Sequence, residues 1–191
     1  MGIPAASGAR AVPHLEPLFP EGLRAGTVTV VHGATSLLWT LTAAAMGRES
    51  WVAVVGLSHV GWAAAAEAGV ELGRVVYVPR AGLTELAACV DAYGVVVAGA
   101  VEMTGSERRS LAGRIRAQHT TVLSAAPWPG ARGVRGEYAG AAGCARGAGA
   151  VAERWIEARR TDVAVHARVR VAQQARALPH GGGERRLAVV S

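Results

Sequence analysis

Residues Val30 to Leu41 read VVHGATSLLWTL. An apolar, β-rich run reaches a glycine, and a helical pattern starts directly after it. Many nucleotide-binding domains keep their phosphate loop at such a junction, in the pattern G-x-x-x-x-G-K-[ST]. There the backbone N–H groups wrap the phosphates, the helix N-terminus faces them, lysine adds charge and Ser/Thr binds Mg²⁺. On this frame Gly33 stands as the first glycine, Leu38 in place of the second, Trp39 in place of the lysine and Thr40 in place of the metal-binding hydroxyl.

The replacements remove the chemistry. Leu38 brings a Cβ to a place that needs unhindered backbone, and Trp39 brings a large apolar ring with one N–H and no charge. Phosphate binding there is disfavoured by several kcal/mol, on the order of its lost charge-assisted partners. The expectation is a vestigial loop that Leu38 and Trp39 fill. No other position supplies the lysine, because all 20 basic Lys/Arg residues of the 191 are arginine. The apolar run GVVVAGA, Gly94 to Ala100, also lacks the acid that would orient a metal, and Glu102 beside it is a single displaced carboxylate. No cofactor, no metal and no catalytic residue is expected.

Outward from this junction, Val-rich runs alternate with Ala/Leu segments, which is the pattern of β-α units and a mainly parallel sheet covered on both faces. Strands are expected at 27–32, 51–56, 74–78, 94–98 and 120–125, and helices at 36–47, 59–69, 82–93 and 104–118. In the last helix Ser106 or Thr104 is the expected cap, Leu111 and Ile115 form the buried stripe, and the arginines occupy solvated faces. Residues 127–150 are glycine-rich and read as a long loop. The following DVAVHARVRV reads as a strand or hairpin closing the sheet, whereas AERWIEARR fits either a strand or a helix. A Pro-rich arm over 1–24, with a helical turn near LEPLFPEGL, one α/β domain over 25–171 and a disordered basic tail over 172–191 complete the organisation.

A 51% hydrophobic composition excludes a wholly disordered chain. The net charge of +6 is mostly C-terminal, and a basic tail of this kind meets nucleic acid, an acidic protein surface or water. Cys89 and Cys144 lack metal spacing and read as buried thiols of a reducing cytoplasm. Prolines interrupt the N-terminus before a secretory core forms, and the uncharged stretch 25–47 carries too many hydroxyls and changes period, so neither a signal nor a membrane span is expected. His32, His59 and His119 lie near strand or helix ends, where parallel α/β folds build sites, but no nucleophile or acid is spaced to act with them. The TGSE fragment at 104–107 reads as a helix start rather than a nucleophile turn.

The order GTVTVVHGATSLLWTLTAAAM, WVAVVGLSHVGWAAAAEAGVELGRVVYVPRAGLTELAACVDA and GVVVAGA resembles the RecA core, over roughly residues 22–126. AGVELGRVVYVPRAGLTELAACVDA is its most specific part. Within that superfamily the chain is similar to the short, nucleotide-site-defective homologues of actinobacteria, of the ImuA-prime type. The resemblance implies a RecA-like fold and a non-catalytic component of DNA-damage-induced translesion synthesis. Its implied partner is ImuB, an inactive Y-family polymerase homologue, with an error-prone C-family polymerase engaged indirectly. It also implies a cytoplasmic protein, nucleoid-associated during DNA damage, that docks its partner through the C-terminal region. By position, that region offers Arg168, Arg170, Arg176, Arg185, Arg186 and the terminal LAVV, with a weak DNA contact as an auxiliary role. Two other readings stay open beside it: a SulA-like division inhibitor, also RecA-like without nucleotide chemistry, and a residual nucleotide-binding regulator.

Overall fold

The computed structural model describes residues 15–47, 50–143, 153–172 and 188–189. Five short strands follow one another with helices between them: β1 Val28–Gly33, α1 Thr35–Ala45, β2 Val52–Val55, α2 Trp62–Glu67, β3 Val75–Val78, α3 Leu83–Ala92, β4 Val95–Ala98, α4 Gly105–Ala117 and β5 Thr121–Ser124. A 3₁₀ turn at Leu72–Arg74 leads into β3. These limits lie close to those read from the sequence, with α2 shorter than expected. Four more strands follow: β6 Arg132–Ala142, β7 Glu153–Arg160, β8 His166–Ala172 and β9 Ala188–Val189.

All nine strands share one sheet in the order β8-β7-β6-β1-β5-β4-β2-β3-β9. Every neighbouring pair is parallel except β6–β7 and β7–β8, so β7 alone runs against the rest. The fold is therefore α/β with a mostly parallel mixed sheet.

Alternation along the strands divides the core into two layers. Val52, Val54, Val95, Val97 and Leu123 face α1 and α2, together with Leu15, Leu18, Phe19 and Leu23 from the segment before β1. Ala53, Val55, Val96, Ala98 and Val122 face Leu86, Cys89 and Val90 of α3 and Leu111 and Ile115 of α4. Both sides of the central strands are dry, which is why their sequences read as unbroken apolar runs. Part of the N-terminal arm is thus core: Leu18 is fully buried and Leu15 nearly so. A turn, with Leu18 and Phe19 N–H both donating to the Leu15 carbonyl, folds it inward. Residues 1–14 lie outside the described part.

The cap of α4 falls at Thr104. Its hydroxyl accepts from the Glu107 N–H at 3.3 Å, and the Glu107 carboxylate accepts from the Thr104 N–H at 2.7 Å. That second bond holds the Glu107 carboxyl below its ordinary pKa. Leu111 and Ile115 are buried as the stripe requires. Cys89 is buried, and desolvation, aided by Glu85, raises its thiol pKa; Cys144 lies outside the described residues.

Two expectations are overturned. The glycine-rich stretch read as a long loop over 127–150 contains the eleven-residue strand β6. Gly133 and Gly136 serve close packing: a Cβ on Gly136 would sit 2.8 Å from Leu37 Cδ2 and 3.0 Å from Ile156 Cγ2. The helical alternative for AERWIEARR also fails, because that run is β7, with Ile156 and Ala158 buried beneath α1 and Glu157 and Arg159 on the opposite, exposed face. DVAVHARVRV closes the sheet as β8, starting at His166. Within the segment expected as a free tail, Ala188–Val189 forms a parallel strand beside β3, pairing with Val76 and Tyr77.

Gly33 carries the strictest local demand. Its φ is +84°, and a Cβ there would lie 2.1 Å from the Gly136 carbonyl oxygen. Gly33→Ala should destabilise the protein by about 4 kcal/mol, since backbone strain and an immovable clash add. Gly130 has a similar φ of +81° with nothing within 4 Å of its would-be Cβ, so Gly130→Ala isolates the strain alone. It should cost only about 1 kcal/mol, with urea midpoints measuring both.

Candidate functional site

The cleft lies where parallel α/β sheets build theirs, beyond the carboxyl ends of the strands. β1 ends at Gly33, Ala34 caps the helix, and α1 is already helical at Thr35. The Ala34 N–H donates to the Gly136 carbonyl at 2.9 Å, so the turn is tied to β6. A phosphate loop needs several non-helical residues between strand and helix to wrap its ligand; the one residue between Gly33 and Thr35 leaves no such loop.

Leu38, Trp39 and Thr40 consequently stand within the helix, and each has a defined place. Leu38 is 5% exposed and lines the cleft. The Thr40 hydroxyl donates back to the Ser36 carbonyl at 2.8 Å, the usual satisfaction of a helical threonine rather than a metal ligand. Trp39 departs from the expected plug, because its ring does not line the cleft but lies at 1% exposure in the core. There it packs on Trp62 with centroids 6.4 Å apart, and Trp62 meets Tyr77 edge-on at 5.1 Å. The Tyr77 hydroxyl donates to the Leu57 carbonyl at 2.7 Å, anchoring the cleft wall to β3. Trp39 Nε1 is buried without a hydrogen-bond partner among the described residues.

The cleft holds about 280 Å³, and its polar lining side chains are His32, Thr35 and His59. The structure therefore brings together two of the three histidines noted in the sequence. His119 sits exposed at the opposite, amino-terminal end of β5, with φ +54°, and Glu102 is exposed outside the cleft lining. Among the described residues, neither a carboxylate nor an arginine lines the cleft. Two imidazoles and a hydroxyl can hydrogen-bond a small polar group, and no arginine among the described residues lines the cleft for a polyphosphate.

The second group of candidate residues lies on the β6-β7-β8 side. Arg168 and Arg170 project from β8 on its exposed face, away from buried Val169 and Val171. The Arg168 guanidinium stands 5.2 Å above the Trp155 ring, and Arg170 pairs with Glu153 across the ladder. Arg135 and Arg159, paired opposite each other on β6 and β7, continue the same face, and Arg159 reaches Glu137 at 3.5 Å. Trp155, Arg135 and Arg159 were missed from the sequence; the period-two alternation of RWIEARR would have exposed two of them. On the other face, Arg154 bonds Glu67 of α2 at 2.7 Å and fastens the hairpin to the helical layer. Arg176, Arg185 and Arg186 lie outside the described residues.

The β7–β8 turn is held by Asp162, whose carboxylate accepts two hydrogen bonds from Arg160 and lies 3.7 Å from Arg132. The Arg160 hydrogen bond lowers the Asp162 pKa, with the charges of Arg160 and Arg132 adding to it. A depressed carboxyl contributes stability above its unfolded pKa and loses it as pH falls through the lower folded value. The urea midpoints of the wild type and Asp162→Asn should therefore differ at neutral pH and converge in acid.

The helical start at Thr35 also makes a sharper prediction. Restoring phosphate-loop residues by Leu38→Gly with Trp39→Lys should yield no Mg²⁺-ATP binding heat. It should unfold the protein or cost more than about 4 kcal/mol, because the lysine enters an apolar core. Calorimetry and thermal unfolding of the double variant measure both effects.

An uncharacterized protein of Mycobacterium tuberculosis, Rv3395c, is 34% identical over 114 residues, which cover 57% of this chain and 56% of that relative. The chain thus spans little more than half the length of the curated relative it matches. No helix among the described residues is long and apolar enough to cross a membrane. Residues 17–130, from the buried N-terminal turn to the threshold of β6, match the family described as MT3502 N-terminal domain, and the chain belongs to that family.

Proposed function

We propose that the protein is a non-catalytic adaptor of DNA-damage-induced translesion synthesis, built on a RecA-like core. It acts through contacts with an inactive Y-family polymerase homologue, with an error-prone C-family polymerase engaged indirectly, in the cytoplasm and at the nucleoid after damage. Support for the fold comes from the element order strand, turn, helix, strand, and from β4 lying in the middle of the parallel sheet between β5 and β2. The observation that carries the non-catalytic reading is the β1–α1 junction. Its single non-helical residue, the apolar Leu38 over the cleft and the Thr40 hydroxyl bonded within the helix support the reading that Mg²⁺-ATP is not its ligand.

Arg168 and Arg170 supply the contact, presented on a rigid strand with Val169 and Val171 locked in the core behind them. Removing everything after residue 160 would delete this core strand, so a sound test keeps it. Copurification with the polymerase homologue from damaged cells should persist for the full chain and fall at least tenfold for Arg168→Glu with Arg170→Glu. Truncation after Ala172 reports the remaining arginines separately. Full binding by both variants would overturn the arginine assignment, and filamentous cells with mislocalised division rings on overexpression would favour division inhibition instead. Any DNA contact should weaken steeply with salt.

A further inference from the structure

The two borders of the sheet differ. Beyond β3 lies β9, whereas among the described residues no strand lies beyond β8. On β8 the two faces are chemically opposite. Val169 and Val171 are 0% and 4% exposed, so the apolar layer runs up to the border on one side. His166, Arg168 and Arg170 occupy the other side in alternate positions.

Charged residues on an edge strand commonly serve only to discourage unwanted pairing. Here their distribution says more. The acids of this face, Glu137, Glu153 and Glu157, all lie inward on β6 and β7, and Glu137 and Glu153 are already paired with arginines. The border row itself holds no acid; its Arg170 is the arginine that pairs with Glu153, which leaves Arg168, over the Trp155 ring, without a carboxylate partner among the described residues. A nucleic acid laid across the face would meet those carboxylates, whereas a strand added at the border meets the basic row first. A second copy is disfavoured as the occupant, since antiparallel pairing of two β8 strands sets one His/Arg row against another.

We infer that the β8 border is a docking edge for an extended segment of a partner protein that alternates acidic and apolar residues. The segment adds as a further strand, its backbone pairing with β8, beyond which no strand lies among the described residues. Its acidic side chains stand beside Arg168 and Arg170, and its apolar side chains extend the layer of Val169 and Val171. This deepens the adaptor reading and rests on it only for the role of the two arginines.

The probe is a fluorescent nine-residue peptide alternating Glu and Val, titrated against the full chain by anisotropy. It should bind, and Arg168→Glu with Arg170→Glu should weaken it at least tenfold, while a Lys–Val peptide should not bind. Two further peptides, N-methylated on the odd or on the even amides, read the backbone without altering the protein. A strand uses one edge to pair, so one of the two should lose binding at least tenfold and the other should retain it. Failure of the parent peptide to bind, equal binding by both methylated peptides, or displacement of the peptide by single-stranded oligothymidylate would overturn the inference. Peptide binding without copurification of the polymerase homologue would uphold the edge and remove only that partner.

Discussion

The close approach of β1 to β6 is the constraint on which the rest of the structure depends. At Gly33 the chain passes so near the Gly136 carbonyl that a side chain would stand 2.1 Å from its oxygen, and the next N–H, that of Ala34, bonds that same oxygen. Two glycines therefore face each other at the end of a five-residue parallel register. This contact ends β1 and starts α1 at once. It also joins the parallel core of five strands to the β6-β7-β8 extension as one sheet.

From that junction follows the division of labour in the molecule. Gly136 lets α1 lie close on β6 through Leu37, and the layer so formed continues through Ile156, Ala158, Val169 and Val171. The hairpin is core on that face and charged on the other. α3 and α4 cover the opposite face only over the central strands, through Val55, Val96, Ala98 and Val122. The carboxyl-end cleft, where parallel folds place their chemistry, keeps Leu38 and two histidines but, among the described residues, no fixed charge. The exposed face of the hairpin, by contrast, carries Arg135, Arg159, Arg168 and Arg170.

Much of the fold was legible along the chain. Runs such as WVAVVG and GVVVAGA, apolar at every position, specify strands covered on both faces, and the Thr104/Glu107 spacing specifies a helix start by local hydrogen bonding alone. The absence of lysine, too, is a fact of composition that no folding can alter. The loop reading of residues 127–150 failed for a definite reason. Gly133 and Gly136 read as loop residues because glycine's usual signal is conformational freedom, whereas in β6 the need is space, set by Leu37, Ile156 and Thr161 from distant parts of the chain.

The candidate site divides in the same way. The residues at Gly33, Leu38, Trp39 and Thr40 were named by their order in a motif, and their chemical types alone removed the charge that phosphate requires. Their positions were a different matter. A one-residue turn, Trp39 in the core beside Trp62 and Arg168 over Trp155 depend on which strands become neighbours. The sequence by itself determined the strand and helix types, the apolar faces and the chemistry missing from the β1–α1 junction, since these follow from local periodicity and side-chain character. Only the tertiary structure decided where that junction turns, that a glycine-rich run is a strand, and that the hairpin arginines share one face, because each rests on contacts between residues far apart in the chain.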